Sequence, residues 1–269
     1  MHNLASLLGI MRRLRDPDQG CDWDLAQTYE TIVPHTIEEA YEVADAIERQ
    51  DFQSLRDELG DLLFQIIFYS QLSQERSTFN FDDVVQGICE KMIRRHPHIF
   101  EMSEPVLNSQ KTNRSWEVIK AEERVGRRDN SQRETEISVL DGIAKTLPSL
   151  FAAVKLQQRA ALAGFDWPEI KPVVDKIAEE LEELRTEIDE DGSPGKKEEE
   201  LGDLLFACVN LARHLNINAE MALRNANRKF ERRFRRVEAL MGSLARGQNK
   251  ISLEKMQTFW EQAKLEEGA

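Results

Sequence analysis

The feature that most constrains this chain is a repeat. Glu58-Leu59-Gly60-Asp61-Leu62-Leu63-Phe64 reappears residue for residue as Glu200-Leu201-Gly202-Asp203-Leu204-Leu205-Phe206. Each copy follows an acidic segment, Glu38-Glu39-Ala40-Tyr41-Glu42 in the first and Glu179-Glu180-Leu181-Glu182-Glu183 in the second. The gap from Glu42 to Glu58 is sixteen positions and that from Glu183 to Glu200 seventeen. Further features correspond in the same order. Cys21-Asp22-Trp23 pairs loosely with Phe165-Asp166-Trp167, Lys91 to Arg95 with Lys229 to Arg233, and Trp116 with Lys120 with Trp260 with Lys264. A chain of 269 residues carrying so many ordered correspondences is an internal duplication, so whatever one half folds into, the other half folds into as well.

The repeated unit reads as helical. Apolar residues recur at three- and four-residue spacing, and strand-like alternation bounded by turn residues is almost absent. Leu4, Leu7, Leu8, Met11 and Leu14 form a stripe that ends before Asp16-Pro17. Pro34 and the Thr36/Glu39 pair predict a helix start with a capping box, running to about Arg49. Further helices are expected from near Asp51 to about Gln74, from Asp82 to Arg95 and around Arg114 to Arg124. Residues 125–136 are polar and aperiodic and read as a linker. Beyond them helices are expected over Pro148–Ala163, Pro168–Asp189, Lys196–His214, Asn218–Met241 and Ser252–Glu266, with a Gly192-Ser193-Pro194-Gly195 turn between the second and third of these. The expected organisation is all-α, with one domain over residues 1–124, a linker, and a second domain over residues 137–269.

Composition narrows the function. Lys and Arg total 36 against 49 Asp and Glu, a formal charge of −13. The average field therefore repels polyanions, and nucleic acid is not an expected partner. Three scattered cysteines, Cys21, Cys89 and Cys208, fit neither a disulfide framework nor a zinc ribbon, and they suit a reducing, cytoplasmic location. The N-terminal residues lack a signal-peptide pattern, and the apolar stretch from Leu62 to Tyr69 is too short to span a membrane.

The carboxylates carry the chemistry. Residues three or four apart share a helix face, so Glu180 and Glu183 are neighbours, as are Glu200 and Asp203. The glycine-proline turn favours an antiparallel hairpin, and at about 1.5 Å rise per residue both pairs reach a similar depth along it. Four converging carboxylates repel one another unless a hard cation such as Mg²⁺ or Mn²⁺ joins them. The bland reading is a solvated acidic face opposite a buried stripe of Ile177, Leu181, Leu184 and Ile188. Asp203 argues against it, because an aspartate beside Leu204-Leu205-Phe206-Ala207 is costly unless paired or bound to metal.

Glu-Glu-x-x-Glu, a short spacer and Glu-x-x-Asp, present twice, resemble the MazG nucleoside triphosphate pyrophosphohydrolases. The Asp16-to-Asp24 segment, Arg94 to His98 and Val209 to Leu215 extend the resemblance over almost the whole chain. It implies a tandem pair of helical-bundle domains, each built around an acidic helix hairpin, assembling as a homodimer. The implied activity is Mg²⁺-dependent hydrolysis of NTPs and dNTPs, with broad specificity, to monophosphate and pyrophosphate, with Mn²⁺ as a substitute ion. Carried over by position, the metal ligands are Glu180, Glu183, Glu200 and Asp203, with Glu179 adjacent as a further catalytic acid. The matching set in the first half is Glu39, Glu42, Glu58 and Asp61.

A triphosphate also needs protein cations. Lys229 and Arg233 lie four apart on one helix, Lys264 and Trp260 lie on the last, and Lys176 and Lys196 flank the acids. Trp260 offers a surface for stacking on a base or sugar. His35 aligns with Lys176, and a neutral imidazole does not replace a fixed ammonium near a triphosphate. The second half is therefore expected to be the main catalytic centre, and the first weaker, altered or structural.

Rival readings make distinct demands. A di-iron carboxylate oxidase needs Glu-x-x-His pairs, and none of the five histidines has Glu three positions earlier. A P-loop hydrolase needs Gly-x-x-x-x-Gly-Lys-Ser/Thr, which does not occur. A non-catalytic helical interaction scaffold or nucleotide-binding regulator predicts no metal-dependent turnover.

Overall fold

The computed structural model describes residues 2–100, 138–242 and 252–268. All regular elements among them are helices, and the chain divides into two compact units, Met1–Arg127 and Arg128–Ala269. The helix expected around Arg114–Arg124, the linker at 125–136 and the Trp116/Lys120 pair lie outside the described residues.

In the first unit the order is α1 (Leu4–Leu14), α2 (Asp22–Ala26), α3 (Tyr29–Glu48), α4 (Phe52–Glu75), α5 (Phe81–Arg95) and α6 (Pro97–Phe100). Side-chain caps set several of the starts. Asn3, Thr28, Asp51 and Asn80 accept from the backbone N–H three residues on, each satisfying a donor that has no partner within its helix. The Thr36/Glu39 start does not form. Helix α3 begins about two turns earlier, capped by Thr28 and Thr31, and Pro34 sits inside it. The early cap secures the first turn, so Pro34 removes one backbone bond without ending the helix. Thr36 Oγ1 instead bonds Ile32 O at 3.2 Å and Tyr69 Oη at 3.0 Å. Helices α3 and α4 pack as a hairpin, and α1 crosses α4. Met11, Ile32, Ile67, Phe68 and Leu72 form the core. Arg15 locks its edge, donating to both oxygens of Glu75 at 2.7 and 2.8 Å and lying 5.4 Å over the Phe68 ring.

The second unit comprises α7 (Ser149–Leu162), α8 (Ile170–Asp189), α9 (Pro194–His214), α10 (Ala219–Met241) and α11 (Leu253–Gly268). Gly164 adopts φ +90 just after α7 and stops that helix. The turn between α8 and α9 is shorter than the sequence suggests. Ser193 caps α9, Pro194 is its first residue, and Gly195 is helical. Proline suits that position because its φ is preset and its missing N–H would have had no helical partner. Helices α8 and α9 form the second hairpin, α7 packs on α9, and α10 pairs with α11.

Burial corrects the bland reading of α8. Leu181 is 55% exposed and Ile188 is exposed too, Ile177 and Leu184 are half-buried, and Glu180 is only 6% exposed. The hairpin turns a carboxylate inward and leaves an apolar row outside: Val174 and Leu181 on α8, Leu201 and Leu205 on α9. The first unit does the same with Val33 and Ile37 on α3 and Leu59 and Leu63 on α4.

Candidate active site

The two hairpins bring their acids together in the same way. In the second unit, carboxylate oxygens of Glu180 from α8 and of Glu200 and Asp203 from α9 lie within 4.8 Å of one another. In the first, Glu39 from α3 and Glu58 and Asp61 from α4 do the same. The local cause is the helical repeat: Glu200 and Asp203 are one turn apart, and the short Asp189-to-Pro194 connection sets them opposite Glu180. Glu183 and Glu42 stand outside these triads but remain electrostatically coupled to them. Burial raises the proton affinity of the Glu200 carboxyl, and the charges of Glu183, Glu180 and Asp203 add to the effect. Burial likewise raises that of Glu39, helped by Asp61, Glu42 and Glu58, and that of Glu58, helped by Glu42 and Asp61. Hard oxygen donors that repel one another and hold protons above their ordinary range fit a divalent cation such as Mg²⁺ or Mn²⁺. The donor set therefore fits the metal that the resemblance implies.

The basic residues divide into two groups. Lys176 stands beside the acids, with Nζ 2.7 Å from Glu179 and 2.8 Å from Glu180. Both contacts hold its ammonium strongly protonated. At the matching place His35 makes only a 3.8 Å approach to Glu38. Lys196 turns to Glu187 at 3.1 Å and Lys197 to Asp191 at 3.3 Å, both near the hairpin turn. Lys229, Arg233, Trp260 and Lys264 belong to the α10–α11 pair. Arg233 bonds Glu267 at 2.5 Å, Lys264 bonds Glu261 at 3.1 Å, and the Trp260 ring packs 5.3 Å from Phe230. Lys229 has no ion-pair partner among the described residues.

Sequence reasoning missed a cavity of about 410 Å³ in the second unit, walled in part by Glu180, Asp203 and Lys176. Its apolar walls include Leu156, Phe165, Trp167 and Phe206, and its polar groups are Gln157, Asp166, Asn210 and Arg213. None of Lys229, Arg233, Trp260 or Lys264 lines it. Arg213 grips Asp166 through both terminal guanidinium nitrogens, Nη1 at 2.9 Å from Oδ2 and Nη2 on Oδ1, while His214 Nε2 lies 3.1 Å from Oδ1. The Arg213 hydrogen bond holds the Asp166 carboxyl below its ordinary range despite burial. A signal for this wall was present in the repeat itself. Aligning the two Glu-Leu-Gly-Asp motifs sets Asn210 against Phe68 and Arg213 against Gln71, polar for apolar and charged for neutral on one helix face.

A duplicated all-α unit, with two helices of a hairpin converging carboxylates on one point, defines a class of helical proteins suited to binding a cation at each hairpin. The chain belongs to the MazG family: the MazG nucleotide pyrophosphohydrolase domain matches it twice, at residues 27–100 and 170–237. The first match spans α3 to α6 and the second spans α8, α9 and most of α10. It is 49% identical over 272 residues to the nucleoside triphosphate pyrophosphohydrolase of Escherichia coli strain K12, covering 99% of each chain. It is 42% identical over 258 residues to the nucleoside triphosphate pyrophosphohydrolase/pyrophosphatase MazG of Thermotoga maritima, covering 96% of this chain and 94% of that one. No described helix is long and apolar enough to cross a membrane.

Proposed function

We propose that this chain hydrolyses nucleoside triphosphates, both NTPs and dNTPs, to nucleoside monophosphate and pyrophosphate, with the second unit as the main centre. The observation that carries the reading is that the Glu180/Glu200/Asp203 triad contributes two of its carboxylates to the wall of a cavity large enough for a nucleoside. Family membership and the names of the two relatives support it.

Glu180, Glu183, Glu200 and Asp203 would hold Mg²⁺, or Mn²⁺ in its place. A bound divalent ion supplies charge neutralisation for the triphosphate and lowers the pKa of a coordinated water. Lys176 fixes Glu179 and Glu180 from the side. Glu179, next to the ligand set and held by that lysine, is the carboxylate left to accept the proton of the attacking water. Water cleaves the α–β anhydride bond, and pyrophosphate leaves with the electron pair of the bridging oxygen. Lys229, Arg233 and Lys264 provide positive charge for the departing phosphates, Lys196 adds to the field at the hairpin turn, and Trp260 offers a stacking face outside the cavity. Glu39, Glu42, Glu58 and Asp61 form a second-tier cation site in the first unit. The exposed rows on the hairpins, Leu181 and Leu205 among them, give a homodimer its apolar interface. Leu181→Glu should then halve the sedimenting mass.

The test is a product assay. The full chain is incubated with each NTP and dNTP and Mg²⁺, and the products are separated by chromatography. Monophosphate and pyrophosphate, lost on EDTA addition and in Asp203→Asn, are expected. A folded parent that cleaves no nucleotide overturns the reading and leaves the helical scaffold in its place.

A further inference from the structure

Two helices packed as a hairpin can slide past one another, and a slip of about 0.5 Å is enough to degrade a ligand set that both helices share. Helices α8 and α9 are joined covalently at one end only, through residues 190–193. The acids lie midway along the pair. Glu180 is ten positions after Ile170 and nine before Asp189, and Asp203 is nine after Pro194 and eleven before His214. Each therefore stands about 15 Å from either end of the hairpin. Interlocking side chains do little to hold the register, because only Val173 and Glu180 are buried on α8, and Glu180 is itself one of the acids. Repulsion among the acids also works against it.

The open end of the hairpin is fastened by ions. Asp166, in the connection leading into α8, faces Arg213 and His214, the last two residues of α9. Arg213 Nη1 donates to Asp166 Oδ2 at 2.9 Å, and Nη2 donates to Oδ1. Nη2 donates in addition to Asn210 Oδ1 at 2.8 Å, which uses both of its hydrogens. The 2.9 Å contact of Nη2 with His214 Nε2 is then no hydrogen bond. Nε2 carries a proton of its own and donates it to Asp166 Oδ1 at 3.1 Å. The Trp167 N–H, 3.0 Å from the same oxygen, completes the set. The Arg213 and His214 side chains are only 15% and 12% exposed, so solvent screens this clamp less than an exposed ion pair. The first unit fastens the corresponding end by other means. Tyr29, the first residue of α3, bonds Ser73 Oγ at 2.8 Å, and the Arg76 guanidinium lies 4.6 Å over its ring. Aligning the two Glu-Leu-Gly-Asp motifs sets Gln71 and Leu72 against Arg213 and His214, so neither partner of Asp166 has a counterpart there.

We propose that Asp166, Arg213 and His214 are positioning residues for the cation site: by locking the open end of the α8–α9 hairpin they fix the register that sets Glu180 against Glu200 and Asp203. The proposal rests on that triad being the divalent-cation site of the function proposed above. The clamp acts through the helices, since Asp166 lies fourteen positions before Glu180 and Arg213 ten after Asp203.

Mn²⁺ binding to the full chain, followed by the electron paramagnetic resonance signal of the free ion, tests this without turnover. An Asp61→Asn background removes the first unit's triad, and Asp166→Ala, His214→Leu and His214→Gln are compared within it. Glutamine keeps an N–H donor at the reach of Nε2, and leucine removes it. Asp166→Ala should weaken Mn²⁺ binding about tenfold and His214→Leu about threefold, with His214→Gln within about twofold of the background chain. A residue that only stabilises the fold would lower the melting temperature and leave Mn²⁺ affinity unchanged. That result overturns the proposal, as does a loss in His214→Leu that glutamine fails to restore. Should Asp166→Ala lose its helical melting transition, the leucine and glutamine pair decides alone. A background chain that binds no Mn²⁺ overturns the proposal and the cation site together. Binding in the expected pattern by a chain that cleaves no triphosphate overturns the hydrolase reading alone.

Discussion

The first and second units carry the same carboxylate triad, yet they differ two turns further along the second helix of the hairpin. In the first unit Phe68 is 1% exposed, packed among Met11, Ile32 and Ile67, and covered by the Arg15 guanidinium. In the second unit the matching residue is Asn210, a smaller amide held by Arg213, and a cavity of about 410 Å³ opens beside it. The aligned cation differs as well, His35 against Lys176. Duplication thus preserved the means of gathering charge in both units, while the room for a nucleoside next to that charge depends on what fills the core.

The comparison breaks most sharply at the acids. Asp203→Asn should lower nucleotide hydrolysis by about a hundredfold to a thousandfold, whereas Asp61→Asn should change it less than about threefold. Equal losses in the two variants, measured as kcat/KM, would place the chemistry in both units. The next effect comes from giving the second unit the first unit's residue. Asn210→Phe should close the cavity, remove an acceptor of Arg213 and reduce kcat/KM by about ten- to a hundredfold with the helical content retained. Unchanged turnover would separate catalysis from the cavity.

A third test uses pH. The folded protein raises the Glu200 carboxyl above the ordinary glutamate value of 4.5. Its contribution to stability is therefore present in full below that value and is lost as pH rises through the folded one. Metal-free protein should gain melting temperature, from this group, as pH falls from 7 toward 5. Glu200→Gln should raise the melting temperature at pH 7 and flatten that slope, and Mg²⁺ should stabilise the parent more than the variant. The opposite sign applies to Glu75 and Asp166, whose carboxyls are lowered by their arginine partners. Their contribution exists above the unfolded values and is lost as pH falls through the folded ones, so Asp166→Asn should remove part of the acid-side transition in a thermal-melt series. The smallest effect is expected far from the acids. Thr28→Ala should cost about 1 kcal/mol of stability through the lost cap, with second-unit activity unchanged.

Most helices were legible because their apolar period and their caps are local properties. The start of α3 was misread because two threonine signals compete: Thr28 with Thr31 and Thr36 with Glu39 both look like helix starts, and the apparent break at Pro34 favoured the later one. Only packing, with Thr36 bonded to Tyr69 and Ile32 in the core, decides for the earlier. The triads were legible because the relevant spacings are one helical turn and one short connection. The cavity was not, because Gln157 and Asn210 lie fifty-three positions apart and on different helices. Each is an unremarkable amide until packing places both on one wall. The burial of Glu180 and the exposure of Leu181 were invisible for the same reason, since one helix does not reveal which of its faces a neighbour will cover.

The sequence by itself determined that this protein is a duplicated helical chain with two sets of four acids on helix hairpins, because helical periodicity and short connections bring near neighbours together without help from the rest of the molecule. Only the tertiary structure decided that an opening stands beside the acids of the second unit. That depends on how α7, α8 and α9 pack and on whether a phenylalanine or an asparagine stands where they meet, a matter of volume shared between residues distant in the chain.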